Sequence, residues 1–210
     1  MNRLFLVDDH ALIRRGMRDA LVDEGFEIAG EAAGWDTLQP ALDRTPFDVL
    51  LLDINLDGRS GFDILDLVRG RPQPPRALMV SMYPEDPYAV QALRAGAWGY
   101  VSKSSETPVL VDAIRTVALG RRWVSGATAS ALAEGVSRGD AAAQPHERLS
   151  PRELLLLRLV ASGITLTELA ARMDLPPKTV SVYRARLLEK MKMSSNHELA
   201  HYAQQHGLVS

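Results

Sequence analysis

The first 120 residues alternate short apolar runs with amphipathic stretches at regular spacing, and this alternation constrains the fold more than any other feature of the chain. Strands are predicted at Leu4–Val7, Glu27–Gly30, Val49–Leu52, Ala77–Ser81 and Gly99–Ser102, with helices near 11–24, 35–44, 61–69, 86–95 and 106–119. The central runs, Val49-Leu50-Leu51-Leu52 and Ala77-Leu78-Met79-Val80, are continuously apolar, as parallel strands buried on both faces require. Five such strand–helix repeats predict an α/β domain with a doubly wound, five-stranded parallel sheet. A sheet of that kind places function beyond the carboxyl ends of its strands.

Charged and hydroxyl side chains collect at those ends. Asp8 and Asp9 follow the first strand, Asp53 the third, Ser81 closes the fourth, and Lys103 follows the fifth. One aspartate after a strand is an ordinary turn residue. Three brought to a single edge repel one another unless a cation lies among them. An all-oxygen set suits Mg²⁺, which takes octahedral coordination completed by water and phosphate oxygens. A lysine can pair with a phosphoryl oxygen there, and a serine hydroxyl can hydrogen-bond another.

The net charge of -2 hides an asymmetry: residues 1–120 carry 12 Lys/Arg against 18 Asp/Glu, whereas residues 148–210 carry nine against five. An acidic block followed by a basic one suggests two domains, the second a candidate for nucleic-acid binding. Residues 121–147 are neutral and rich in small residues, and are read as a linker, with a short helix possible at Ser125–Glu134. There is no cysteine, which excludes disulfides and thiolate catalysis. No signal peptide or membrane span is recognised, so a cytoplasmic protein with no membrane partner is expected.

In residues 148–210, start signals recur as Ser150-Pro151-Arg152-Glu153, Thr165-Leu166-Thr167-Glu168 and Ser195-Asn196-His197-Glu198, each read as a capping box. Gly163 and Gly207 are stops. Four helices follow, at 151–161, 166–173, 177–191 and 196–206, with Leu154, Leu157, Leu166, Leu169, Ala170, Val180, Leu187 and Leu199 as their shared core. The middle pair has helix-turn-helix proportions. That geometry makes Lys178, Thr179, Ser181, Val182 and Ala185 groove-facing candidates and puts Lys178, Arg184 and Arg186 near phosphates.

Residues 1–120 resemble a response-regulator receiver domain, of flavodoxin-like fold, through Asp8-Asp9, the segment Asp53–Gly61, Ser81 and Tyr100-Val101-Ser102-Lys103. The resemblance implies that Asp53 is a nucleophile accepting a phosphoryl group, and that Asp8, Asp9, Asp53 and the Asn55 carbonyl hold Mg²⁺. It further implies that Ser81 and Lys103 bind phosphoryl oxygens, while Tyr100 is an aromatic switch whose rotamer reports phosphorylation. Asp57 stands where the family usually has proline, and Ser104 follows Lys103 where many relatives have proline. Gly58 and Gly61 are expected to take positive φ in the turn after the third strand.

Residues 148–210 resemble the LuxR-type DNA-binding domain of the NarL/FixJ response-regulator group, through Leu149–Glu153, Leu169-Ala170, Lys178-Thr179-Val180-Ser181, Leu188–Met191, Glu198-Leu199 and His206–Val209. Together the resemblances imply a two-component transcription factor rather than an enzyme. A sensor histidine kinase would phosphorylate it to control sequence-specific binding to double-stranded DNA, as a homodimer when active. The alternative is a DNA-binding regulator that works without phosphorylation, its receiver serving dimerisation or ligand sensing.

Overall fold

A computed structural model describes residues 2–56, 59–83, 85–138, 144–173 and 175–209. The chain divides into two compact units, residues 1–134 and 135–210. The first runs β1 (Arg3–Val7), α1 (Ala11–Asp23), β2 (Glu27–Ala32), α2 (Trp35–Arg44), β3 (Val49–Leu52), α3 (Gly61–Arg69), β4 (Arg76–Ser81), α4 (Glu85–Arg94), β5 (Gly99–Ser102) and α5 (Thr107–Ala118). A further helix, α6 (Gly126–Arg138), crosses the division between the units.

The five strands are parallel in the order β2-β1-β3-β4-β5. The chain leaves β1 toward one side and returns through β3 on the other, so the sheet reverses direction between these two neighbours. Alternate side chains feed two cores. Phe5, Val7, Leu50, Leu52, Ala77 and Met79 pack with Leu38, Ile64, Val68 and Ala92 from α2, α3 and α4. Leu4, Leu6, Val49, Leu51, Leu78 and Val80 pack with Leu21, Val111, Ile114 and Val117 from α1 and α5. Full burial of β3 is what its unbroken apolar run requires.

Residues 121–134, read in the sequence as connector, belong to the first unit. The Trp123 N–H bonds the Trp98 carbonyl at 2.9 Å. Its indole N–H reaches Asp112 at 3.3 Å.

The second unit holds a short 3-10 helix (Pro145–Arg148) and then α7 (Pro151–Ala161), α8 (Leu166–Met173), α9 (Pro177–Met191) and α10 (Asn196–Gln205). Its core joins the expected leucines to Leu149, Leu156, Val160, Met173 and Met191. Ser150 with Glu153, and Thr165 with Glu168, form reciprocal capping boxes. The third box differs from expectation. Ser195 Oγ does accept the Glu198 N–H at 3.2 Å, but the Glu198 carboxylate bonds the N–H and hydroxyl of Ser194, one residue earlier. A second serine there gives it a hydroxyl and an amide together. Gly163 and Gly207 take φ of 74° and 64° as helix stops, whereas α9 ends on Lys192 at φ 55°. No helix among the described residues is long and apolar enough to cross a membrane.

Candidate functional site

β1 and β3 are neighbours, so the aspartates that follow them emerge side by side. Asp8 and Asp53 are 2% and 4% exposed. Lys103 reaches between them from beyond β5: its Nζ lies 2.6 Å from Asp8 Oδ2 and 2.7 Å from Asp53 Oδ2. The Lys103 N–H bonds the Ser81 carbonyl at 2.7 Å, which ties the lysine to the end of β4. The Asn55 N–H points at Asp53 Oδ1, at 3.3 Å. Burial pushes the Asp53 carboxyl above its ordinary range, and the Lys103 ammonium opposes that rise.

Oxygens of Asp8, Asp9 and Asp53, with a nitrogen of His10, all lie within 4.8 Å of one another. Three carboxylates against one ammonium leave a local excess of two negative charges, in a pocket where water does little to screen them. A divalent cation with a preference for oxygen matches both that excess and the donor set. His10, given no role by the sequence, holds two of the carboxylates: its N–H bonds Asp8 Oδ1 at 2.8 Å, and its Nδ1 lies 2.6 Å from Asp9 Oδ1.

Ser81 is 1% exposed, and its Oγ has no hydrogen-bond partner among the described residues. A buried hydroxyl in that state costs about 1–3 kcal/mol. An incoming oxygen would relieve it. Tyr100 is buried too, and its hydroxyl donates to the Tyr83 carbonyl at 2.7 Å. Burial first, then the charges around it, pushes this phenol above its ordinary range and keeps it a neutral donor.

Gly61 does not take the positive φ expected of it. Its requirement is steric, because its α-carbon packs against the backbone of Asp53 and Ile54, and its N–H bonds the Ile54 carbonyl at 2.8 Å. Gly58 and Asp57 lie outside the described residues. Sequence reasoning missed Arg14, whose guanidinium donates to the Asp8 carbonyl and to Glu31 at 3.1 Å. It also missed the Ser60–Asp63 capping box that starts α3, although the Ser-x-x-Asp spacing was there to be read.

In the second unit α9 buries Val180, Leu187 and Met191 and presents its opposite side to solvent. Lys178, Val182, Ala185 and Arg186 are exposed, while Thr179, Ser181 and Arg184 are half-buried. Arg184 sits four positions after Val180 on the packed flank, with its Nε buried and unpartnered among the described residues. Arg186 is therefore the more outward cation.

A doubly wound domain with paired carboxylates, a lysine and a buried hydroxyl at one edge, followed by a helix-turn-helix bundle, has the build of a two-domain signalling regulator. The family described as "Response regulator receiver domain" matches residues 4–115, and "Bacterial regulatory proteins, luxR family" matches residues 147–203. The response regulator UvrY of Escherichia coli K12 is 31% identical over 211 residues, covering 100% of this chain and 97% of UvrY. The response regulator GacA of Pseudomonas aeruginosa is 34% identical over 212 residues, covering 100% of this chain and 98% of GacA. Among solved structures, a LuxR-family two-component response regulator from Aurantimonas sp. SI85-9A1 superposes with a TM-score of 0.58 at 34% identity, over 64% of this chain and 96% of that one. RcsB of Salmonella enterica serovar Typhimurium, bound to promoter rprA in the presence of phosphomimetic BeF3-, shares the fold with a TM-score of 0.61 at 23% identity, over 96% of this chain and 97% of that one. The chain belongs to the response-regulator family: it is a two-component response regulator with a receiver domain and a LuxR-type DNA-binding domain.

Proposed function

We propose that Asp53 is the phospho-acceptor through which a sensor histidine kinase controls DNA binding by this regulator in the cytoplasm. The observation that carries the proposal is Lys103 Nζ held 2.7 Å from Asp53 Oδ2, at the sheet edge where the buried Ser81 hydroxyl has no partner among the described residues. An oxygen of the Asp53 carboxylate attacks phosphorus, the phosphorus–nitrogen bond to the kinase histidine breaks, and an acyl phosphate forms. Lys103 pairs with one oxygen of the transferred group and the Ser81 hydroxyl donates to another. Asp8, Asp9, Asp53 and the Asn55 carbonyl would hold Mg²⁺, which supplies positive charge to the oxygens of the transferring group. His10 and Arg14 keep the Asp8–Asp9 corner in position from the start of α1.

When Ser81 turns to the phosphoryl group, Tyr100 changes rotamer and gives up the Tyr83 carbonyl. The change is a shift between two populated arrangements. The DNA-binding unit then acts as a homodimer, with α9 in the major groove: Lys178 and Arg186 meet phosphates, while Val182 and Ala185 face base edges, with Thr179 and Ser181 beside them and Arg184 at the rim. RcsB, which shares the fold, is seen as dimers on DNA.

Intact mass after incubation with acetyl phosphate tests the first step. One added phosphoryl group, dependent on Mg²⁺ and absent in Asp53→Asn, is the expected result. An unmodified wild type, under conditions that modify another receiver, overturns the proposal.

A further inference from the structure

Five polar residues are buried as wholes among the described residues: Asp8, Asp53, Ser60, Ser81 and Thr128. The first four belong to the acidic edge and to the helix start beside it. Thr128 does not. It lies in the first turn of α6, 4% exposed, and its Oγ1 donates to Glu85 Oε1 at 2.6 Å. Ser125 Oγ donates to the same carboxylate oxygen and accepts the Thr128 N–H at 3.1 Å. Glu85, the first residue of α4, thus accepts from two hydroxyls at the beginning of α6, where Ser125 Oγ itself caps the Thr128 N–H. The negative charge of Glu85 is also placed where the amino end of a helix favours one.

The same connecting segment is fastened at the far end of α4. The Arg122 guanidinium donates to the Leu93 and Ala97 carbonyls, each at 3.3 Å. Residues 122–128 therefore run along α4 from its last turn to its first. Meanwhile α4 begins four positions after Ser81, the buried hydroxyl without a partner among the described residues, and two after Tyr83, whose carbonyl holds Tyr100. Ser81 and Tyr83 thus lie in the short stretch of chain that leads into the residue gripping the connector.

We infer that the Glu85–Ser125–Thr128 contact is a release clamp: α4 carries the movement of Ser81 to the start of α6, the segment that leads into the DNA-binding unit. Glu85 is a positioning residue in this scheme. A hydroxyl–carboxylate bond of 2.6 Å does not survive a displacement of about 1 Å. Its loss leaves the buried Thr128 hydroxyl with Ser125 Oγ alone, at 3.2 Å, and unfastens the first turn of α6 from α4. The inference rests on the phosphorylation of Asp53 proposed above.

Amide hydrogen exchange of the full chain, followed by mass spectrometry with and without acetyl phosphate and Mg²⁺, tests it alongside intact mass. In the wild type, amides 129–133 should exchange about tenfold faster once the mass shows the phosphoryl group, the size expected from losing one or two hydrogen bonds. Glu85→Ala and the near-isosteric Thr128→Val should show the faster exchange without phosphodonor, yet still gain the phosphoryl group. Unchanged α6 protection in fully phosphorylated wild type overturns the clamp, as does wild-type protection in both resting variants. Failure of the wild type to gain the group overturns the phosphorylation reading and the coupling with it; the resting variants then decide whether Glu85 holds α6 at all.

Discussion

Gly61 and Asp53 touch through their backbones: a β-carbon on Gly61 would stand 1.9 Å from the Asp53 carbonyl oxygen and 2.9 Å from the α-carbon of Ile54. No side-chain rotation can relieve a clash with backbone, so Gly61→Ala must push α3 away from the end of β3. Overpacking of this kind costs about 1–3 kcal/mol. Urea unfolding of the variant should show a lower midpoint for the first unit, and phosphorylation should slow because Asp53 is displaced. An unchanged midpoint would show that the helix start yields freely.

Asp53 is predicted to lower the stability of the unphosphorylated, metal-free protein. Its carboxyl is raised by burial above the ordinary 3.8, so the folded chain binds that proton more tightly than the unfolded one. Stability from this group therefore falls as pH rises from the ordinary carboxylate value through the raised one. Asp53→Asn in chelator should melt at or above the wild-type temperature at pH 7, and the difference should shrink toward pH 4. A variant melting well below wild type at pH 7 would mean that the Lys103 contact outweighs desolvation.

Mg²⁺ should stabilise the first unit by mass action, by about 2.7 kcal/mol at a concentration one hundred times its dissociation constant. Asp9→Asn removes one of the three carboxylates while leaving the Asp8–Lys103–Asp53 contacts in place. Thermal melts with and without Mg²⁺ should show the shift in wild type and little of it in the variant. Equal shifts would place the ion elsewhere.

On the DNA side, Arg186→Ala should weaken binding to all sequences alike and reduce the slope of log affinity against log salt by about 0.9. Val182→Ala, which alters an apolar side chain 50% exposed on α9, should leave the slope alone and change the ranking among operator sequences. Fluorescence anisotropy at several salt concentrations separates the two effects, and identical behaviour of both variants would contradict the assigned orientation of α9.

Lys192 closes α9 in the left-handed region that glycine occupies at most such stops. Lys192→Gly should stabilise the second unit by about 1 kcal/mol by relieving that conformation. Differential scanning calorimetry reads the change, and a lower transition temperature would reject the argument.

The acidic edge was readable in the sequence because strand ends are marked by composition: apolar runs stop at Asp8, Asp53 and Ser81. β3 and β5 lie where the apolar pattern predicts them, whereas β2 runs on to Ala32 because Glu31 and Ala32 pair with Leu6 and Val7 across a register shift. No local pattern announces such a shift. α6 continues through Gly135, a residue that composition alone marks as flexible. The contacts that were illegible are those made to backbone carbonyls or across distant segments. Arg14 to Asp8, Tyr100 to Tyr83 and Thr128 to Glu85 all depend on where the chain returns, not on which residue types stand nearby.

The helix starts of the second unit rest on ionised glutamates. Glu168 and Glu198 are held below the ordinary carboxylate range by the Thr165 and Ser194 amides and hydroxyls they accept from. Their contribution is present above the ordinary carboxylate pKa and fades as pH falls through the lowered values. Asp53 has the opposite slope. Acidification therefore relaxes an electrostatic burden in the signalling half while unpinning the helices of the DNA-reading half, so a single acid titration should show the two units parting company in their response to protons.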